Sequence, residues 1–131
     1  MKIAANLAGG VLALIFSGLG LMMLLGMMPA PEAPPPDSLV GKFMGAFAPS
    51  GYLTFVKVLE ILGGILVAIP ITRNLGLLVL GPIIVNIFAF HILIAKGIGT
   101  DPMSIAIMTL IVVLPLFLLW TERRRWLGLV R

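Results

Sequence analysis

The sequence predicts an all-α integral membrane protein, a four-helix bundle with a short interfacial helix between spans one and two. The composition is 60% hydrophobic and 11% charged, and the mean hydropathy is +1.19, far from the average of a soluble domain. The apolar residues also form four blocks, each close to the ~20 residues that a helix needs to cross about 30 Å of hydrocarbon. We therefore expect one membrane domain over residues 1–131.

The first apolar block covers residues 5–28 and follows Lys2. A secretory signal peptide is the alternative interpretation, but the apolar region of a signal peptide is shorter, roughly 7 to 15 residues. We therefore assign residues 5–28 to the first span. The prolines of Pro29–Pro36 donate no backbone hydrogen bond and favour extended, solvated backbone, so residues 29–37 are expected to form a loop outside the membrane.

A short amphipathic helix is expected at residues 38–48. Asp37 and Ser38 are residue types that cap helix N-termini. The apolar side chains that follow lie at helical spacing around Lys42: Leu39, Val40, Phe43, Met44 and Phe47. This pattern is typical of a helix that lies at the membrane surface.

The remaining three spans are expected at residues 52–70, 75–95 and 103–121. Pro70 ends the second span, and the short link after it makes the second and third spans antiparallel neighbours. The fourth span begins after Asp101, a capping residue followed by proline at the first helical position.

The positions of the basic residues predict the orientation of the spans, because cytoplasmic loops of membrane proteins are rich in Lys and Arg. On one side lie Lys2, Arg73, Arg123, Arg124, Arg125 and Arg131, against Lys42 and Lys96 on the other. Both termini are therefore expected in the cytoplasm. The net charge of +4 does not indicate nucleic-acid binding, because the basic residues form no helical stripe and no aromatic-interleaved patch.

Two charged residues, Lys57 and Glu60, lie within the second span. Each costs about 2.5 to 3.5 kcal/mol at membrane depth on the insertion scale, so something must compensate them. At a spacing of three residues they share one helix face and can pair, and a contact of ~4 Å contributes about 4 kcal/mol at an effective dielectric near 20. The pair offsets most of the insertion cost.

The third span carries Asn86 and His91 at matching depths. At 1.5 Å per residue, Lys57 and Glu60 lie about 9 and 13 Å deep, while His91 and Asn86 lie about 6 and 13 Å deep. We expect a polar cluster in which Asn86 donates its amide to Glu60 and His91 lies near the level of Lys57. Asn86 and His91 are about 140° apart around the helix, which leaves His91 free to face the first span or the interfacial helix.

Structural interpretations of these residues stay open. Lys57 and Glu60 can form a purely structural ion pair that fixes the register of the helix. Asn86 can form a hydrogen bond that holds two helices together. The methionine pairs at Met22 and Met27 are better explained by adaptable packing than by copper binding. The sequence has one histidine and no cysteine, so we expect no metal site and no intrinsic cofactor. Any redox role would then need a cofactor bound from elsewhere.

Three segments carry a family resemblance: SGYLTFVKVLEILGGILV (Ser50–Val67), GPIIVNIFAFHILI (Gly81–Ile94) and the opening block that ends LIFSGLGLMMLLGMMP. With these segments the sequence resembles the DoxX family of small four-helix bacterial membrane proteins, over nearly the whole chain. The family's polar positions match Lys57, Glu60, Asn86 and His91. The proline-rich loop departs from the family's pattern.

The resemblance implies a location in the bacterial inner membrane and a loose link to quinone-dependent oxidation. The first functional hypothesis is an accessory or scaffold subunit of a quinone-linked redox or respiratory complex, with other membrane subunits and lipid as partners. The alternative is a binder or oxidoreductase for quinone, or another apolar ligand, at the polar cluster between spans two and three. A proton or solute pathway ranks last, because no charged residue continues the cluster through the other half of the spans. The sequence leaves open whether the protein is an enzyme.

Overall fold

The computed structural model describes residues 1–130, and within them the chain contains helices and no strand. Arg131, which was counted among the basic residues, lies outside the described residues. The prediction of an all-α fold is confirmed. The helices are α1 (Lys2–Leu24), α2 (Leu39–Phe47), α3 (Tyr52–Ala68), α4 (Arg73–Ile94), α5 (Pro102–Thr121) and α6 (Arg123–Leu129).

Helix α1 is placed differently from the predicted first span at residues 5–28, because it begins at Lys2 and ends at Leu24. Gly26 stops it with a left-handed φ of 69°, a conformation that glycine adopts without a Cβ clash. The N–H of Gly26 donates to the Met23 carbonyl and that of Met27 to the Met22 carbonyl, the paired bonds of a glycine helix stop. Apolar composition alone did not reveal this stop.

Helices α2 and α3 follow each other with a bend of 83°. Ser38, not Asp37, caps α2, since its hydroxyl accepts the Gly41 N–H at 3.0 Å. At the corner Gly51 has a φ of 79°, which lets the chain turn sharply before α3.

The link between α3 and α4 lies two residues earlier than the sequence predicted. Helix α3 ends at Ala68 because Ile69, the residue before Pro70, adopts the extended backbone that proline imposes on its predecessor. Helix α4 begins at Arg73 rather than at residue 75, and its last turn, Phe90–Ile94, is π-helical.

Helix α5 begins as expected at a capped proline. The Asp101 carboxylate accepts the Ser104 N–H at 2.8 Å, and this hydrogen bond lowers the pKa of Asp101 below its ordinary value. After α5 the chain turns at Glu122 and forms α6, for which the sequence analysis had no prediction.

Glycines bring the long helices into close contact. Helix α3 packs against both α1 and α4, and α5 contacts α1 and α4. A Cβ at Gly76 of α4 would meet the backbone of Val67 and, at 2.9 Å, the Gly63 carbonyl oxygen of α3. A Cβ at Gly64 would meet the hydroxyl of Ser17 in α1. The small residues thus set the spacing between these helices.

The packed core is small and most large apolar side chains face outward. Leu12, Val67, Leu80 and Leu118 are fully buried, whereas Leu14, Val85 and many others are exposed. Three helices, α1, α4 and α5, are long and apolar enough to cross a membrane, and the bent pair α2 and α3 raises the number to four if it forms one span. Such an outer surface is expected of a protein that lies in lipid.

Candidate functional site

A cavity of about 700 Å³ opens between the ends of α1, α3 and α4 that lie nearest the proline-rich loop, beside α2. Lys57, Glu60, Asn86 and His91 all line it. We call it the proline-end cavity. Its volume lies within the range of roughly 300–1,000 Å³ that is usual for small-molecule sites. A functional role for these four residues stays a prediction.

The ion pair on α3 forms one wall of the proline-end cavity. Lys57 Nζ donates to Glu60 Oε2 at 2.7 Å, the length of a charge-assisted hydrogen bond. The Glu60 side chain is 10% exposed and that of Lys57 is 24% exposed, so the ammonium is the more accessible partner. An ammonium has three N–H donors, and this bond uses one of them.

His91 lies in the π-helical last turn of α4. Its Nδ1 is 2.8 Å from the Ile87 carbonyl oxygen. Because a carbonyl oxygen only accepts, Nδ1 carries a proton, and in the neutral ring Nε2 is then an acceptor. His91 therefore offers a hydrogen-bond acceptor when neutral and a second donor when charged.

Asn86 lies five residues before His91, lines the same cavity and is exposed. Within residues 1–130, no hydrogen bond joins its amide to Glu60, so the expected bond between Asn86 and Glu60 is absent. The amide stays available, with two N–H donors and one carbonyl acceptor. A side chain free of protein partners suits ligand contact better than interhelical bonding.

Aromatic rings from three helices, Phe43, Tyr52 and Phe90, form another wall, which the sequence analysis missed. Phe43 of α2 lies 4.9 Å from Phe90 of α4 and 4.7 Å from Phe47, and Phe47 lies 4.8 Å from Tyr52 at the start of α3 (ring centroids). Aromatic pairs at such distances add to stability beyond their buried area. The helical spacing of Phe43 and Phe47 was visible in the sequence, and the bend between α2 and α3 brings Phe47 beside Tyr52.

Ser17 positions the α3 wall from the side of α1. Its hydroxyl donates to the Ile61 carbonyl at 2.7 Å, and it lies within the π-helical turn Leu14–Leu19. That carbonyl belongs to the residue after Glu60, so the bond ties α1 to the part of α3 that carries the ion pair. A lone serine in an apolar span gave no sequence signal for this role.

The arrangement combines an apolar, aromatic cavity with a few polar groups that can hold one polar head. Lys57 supplies donors, His91 an acceptor, Asn86 both, and Glu60 a carboxylate that can accept a proton. Within the part of the chain that the structure describes, no group of three His, Asp or Glu side chains is placed to hold a metal ion. The chemistry available is hydrogen bonding and proton transfer.

The chain is similar to the uncharacterized protein YwoB of Bacillus subtilis (strain 168), with 38% identity over 80 residues. The match covers 61% of this chain and 48% of YwoB, so it spans about half of that protein's length. No family model matches the sequence, and no solved structure matches it either. The resemblance to the DoxX family therefore stays a prediction.

Proposed function

We propose that this protein binds an apolar ligand with a polar head group in the proline-end cavity, and that quinone is the first candidate. One observation carries the proposal: Lys57, Glu60, Asn86 and His91, from two helices, line one apolar cavity. Burying charges among apolar helices is costly, and intramembrane ionisable residues commonly mark functional sites. A quinone has two carbonyl oxygens that accept hydrogen bonds and an apolar body that suits the aromatic wall.

The proposed setting is the bacterial inner membrane, with four spans and both termini in the cytoplasm, in a DoxX-like bundle. Helix α3 has 17 residues, so it is about 26 Å long and needs the residues at its ends to cross the hydrocarbon. Three basic residues, Lys2, Arg73 and Arg125, gather around one cavity at the same end of the helices. This gathering supports a cytoplasmic position for that end.

In the proposed complex, Lys57 donates to one carbonyl oxygen of the quinone, and Asn86 or His91 bonds the second. Glu60 holds the ammonium in place and accepts a proton if a quinol is oxidised. Such an oxidation releases two electrons and two protons: Glu60 takes one proton and Nε2 of neutral His91 the other, and the electrons need an acceptor outside this chain's side chains. The proposal covers binding, and turnover depends on that acceptor.

The first prediction concerns Lys57. We expect Lys57→Met to lower the affinity for a quinone by about tenfold or more, because a hydrogen bond to a charged group is lost. The measurement is photolabelling of the purified protein in lipid nanodiscs by a photoreactive short-chain benzoquinone. In the wild type, the label is expected on the peptides of α3 and α4 that line the cavity.

Matched variants separate binding from folding. Lys42→Met removes an exposed lysine of α2, and the side chain of Lys42 does not line the cavity. The labelling of this variant is expected to equal that of the wild type. The double variant Lys57→Met with Glu60→Gln leaves no unpaired charge, so it keeps the fold while losing the label. Equal labelling in all variants, or labels spread over the lipid-facing surface, would contradict the proposal.

A second proposal is an accessory subunit of a quinone-linked membrane complex. The absence of cysteine favours it, because thiol redox chemistry must then come from another subunit or a bound cofactor. Purification from native membranes in mild detergent, followed by mass spectrometry, tests it. Stoichiometric redox subunits would support the accessory role, and an isolated protein that retains quinone would favour the ligand cavity alone.

A further inference from the structure

A second cavity lies at the opposite end of the helices, where the basic residues gather. Its volume is about 490 Å³, and we call it the basic-end cavity. The side chains that define it come from α1, α4, α6 and the turn before α6: Lys2, Asn6, Arg73, Glu122 and Arg125. It shares no lining residue with the proline-end cavity.

Arg73 is the fixed part of the basic-end cavity. It is only 3% exposed, although it carries a permanent charge. Its Nε donates to the Val67 carbonyl at 3.2 Å and its Nη2 to Asn6 Oδ1 at 2.9 Å. Backbone and side-chain acceptors from two other parts of the chain therefore hold the guanidinium in one orientation.

The third nitrogen of Arg73 is incompletely paired. Nη1 lies 3.7 Å from Glu122 Oε1, which is longer than a hydrogen bond. The other oxygen of Glu122 lies 3.3 Å from Nη1 of Arg125, so one carboxylate is shared by two arginines. A buried cation normally has a full set of partners, whereas within residues 1–130 Arg73 Nη1 has no hydrogen bond, and Arg73 lines the cavity.

The charges lining the cavity do not balance. Lys2, Arg73 and Arg125 are cationic, and Glu122 is the one anionic side chain among the lining residues. An anion with several acceptor oxygens would satisfy the remaining donors and offset the excess charge. The Arg125 side chain is 61% exposed and can reorient toward such an anion.

We propose that the basic-end cavity binds a phosphate group. Arg73 supplies a pre-oriented planar donor, and Arg125 and Lys2 close on the phosphate from the exposed side. Arginine matches the geometry of phosphate oxygens through paired N–H donors. The cavity lies at the ends of apolar helices, the level at which lipid head groups lie, so the phosphate can belong to an anionic phospholipid or to a free phosphate.

The test measures phosphate-bearing probes on the purified full chain by native mass spectrometry. The probes are phosphatidylglycerol, phosphatidylcholine and inorganic phosphate. We expect stoichiometric retention of phosphatidylglycerol by the wild type, and Arg125→Gln is expected to weaken it by about tenfold or more. Arg124→Gln removes an exposed neighbouring charge that does not line the cavity, and its retention is expected to match that of the wild type.

The outcomes separate the sources of the phosphate. Retention of phosphatidylglycerol that depends on Arg125 identifies a lipid site. Inorganic phosphate binding with the same dependence identifies a soluble phosphate site and supports the same chemistry. No phosphate-bearing probe retained, or equal losses in Arg125→Gln and Arg124→Gln, would overturn the proposal. Neither result depends on quinone binding at the proline-end cavity.

Discussion

Replacing Arg73 by methionine is expected to lower the free energy of unfolding by about 3–5 kcal/mol, because it removes two hydrogen bonds from a charged group, each worth about 1.5–3 kcal/mol. The Arg73 side chain lies beside α1, since a Cβ at Gly9 would be in ordinary contact with Nη2 at 3.5 Å. The change removes the hydrogen bonds to Val67 and Asn6 together with the contact to Glu122. Methionine keeps much of the aliphatic volume of arginine, so the decrease in the free energy of unfolding measures mainly the lost polar contacts.

The measurement for Arg73→Met is reversible unfolding in mixed detergent micelles, followed by helical circular dichroism. Arg124→Met is the control, because Arg124 is exposed and lies one residue from a cavity-lining arginine. We expect the control to change the free energy of unfolding by no more than about 0.5 kcal/mol, as surface substitutions usually do. A loss in Arg73→Met no larger than that of the control would contradict a structural role for the buried guanidinium.

Replacing Gly76 by alanine is expected to destabilise the protein by about 1–3 kcal/mol, the usual cost of inserting a methyl group into a packed contact. The added Cβ would meet the backbone N of Val67 and, at 2.9 Å, the carbonyl oxygen of Gly63. Backbone atoms cannot turn aside as a flexible side chain can. Helix α4 would therefore have to move away from α3.

Gly10→Ala is the matched control for Gly76→Ala. Gly10 also lies inside an apolar helix, but a Cβ there would meet nothing within 4 Å. Alanine in an open helical position stabilises by about 0.8–1 kcal/mol relative to glycine. The two substitutions are chemically identical, so unfolding curves shifted in opposite directions are the expected result. Equal shifts of the same sign would show that close packing at Gly76 contributes little.

Much of the helical organisation could be predicted from sequence, because local chemistry determines where helices stop. Proline and capping residues marked the region of Pro70 and the start of α5 within about two residues. The end of α1 was misplaced by four residues, since Met27 and Met28 continue the apolar block past the left-handed Gly26. A hydropathy count does not distinguish apolar helix from apolar turn.

The lining of the proline-end cavity could be predicted only in part. Counting 1.5 Å per residue along straight spans placed Lys57, Glu60, Asn86 and His91 at matching depths, and the structure places them on one cavity. The predicted hydrogen bond from Asn86 to Glu60 is absent from residues 1–130. Counting residues gives the position of a side chain along its helix, but it does not give the distance between side chains on two helices. The contact between Phe47 and Tyr52 depends on the 83° bend; Gly51 marks a turn there, but the sequence does not specify its angle.

The basic end shows a different limit of sequence reasoning. Arg73 was counted there only as a charge that orients the spans, in the same class as the exposed Arg123 and Arg124. Its burial depends on three segments distant in sequence that meet at one end of the helices. The hydrogen bonds to Asn6 and Val67 distinguish Arg73 from the exposed arginines, but neither of these residues lies in a sequence motif that would predict the bond.

The glycine contacts between α3 and α4 also determine the angle between these two helices. The short link and the contact of Gly76 with Val67 lie at one end of this pair, and the proline-end cavity lies between the other ends of the two helices. From Gly76 to Asn86 this part of α4 is about 15 Å long, so a small rotation at the contact becomes a larger separation at the cavity. Residues that never touch a ligand can thus set the width of the space that receives it.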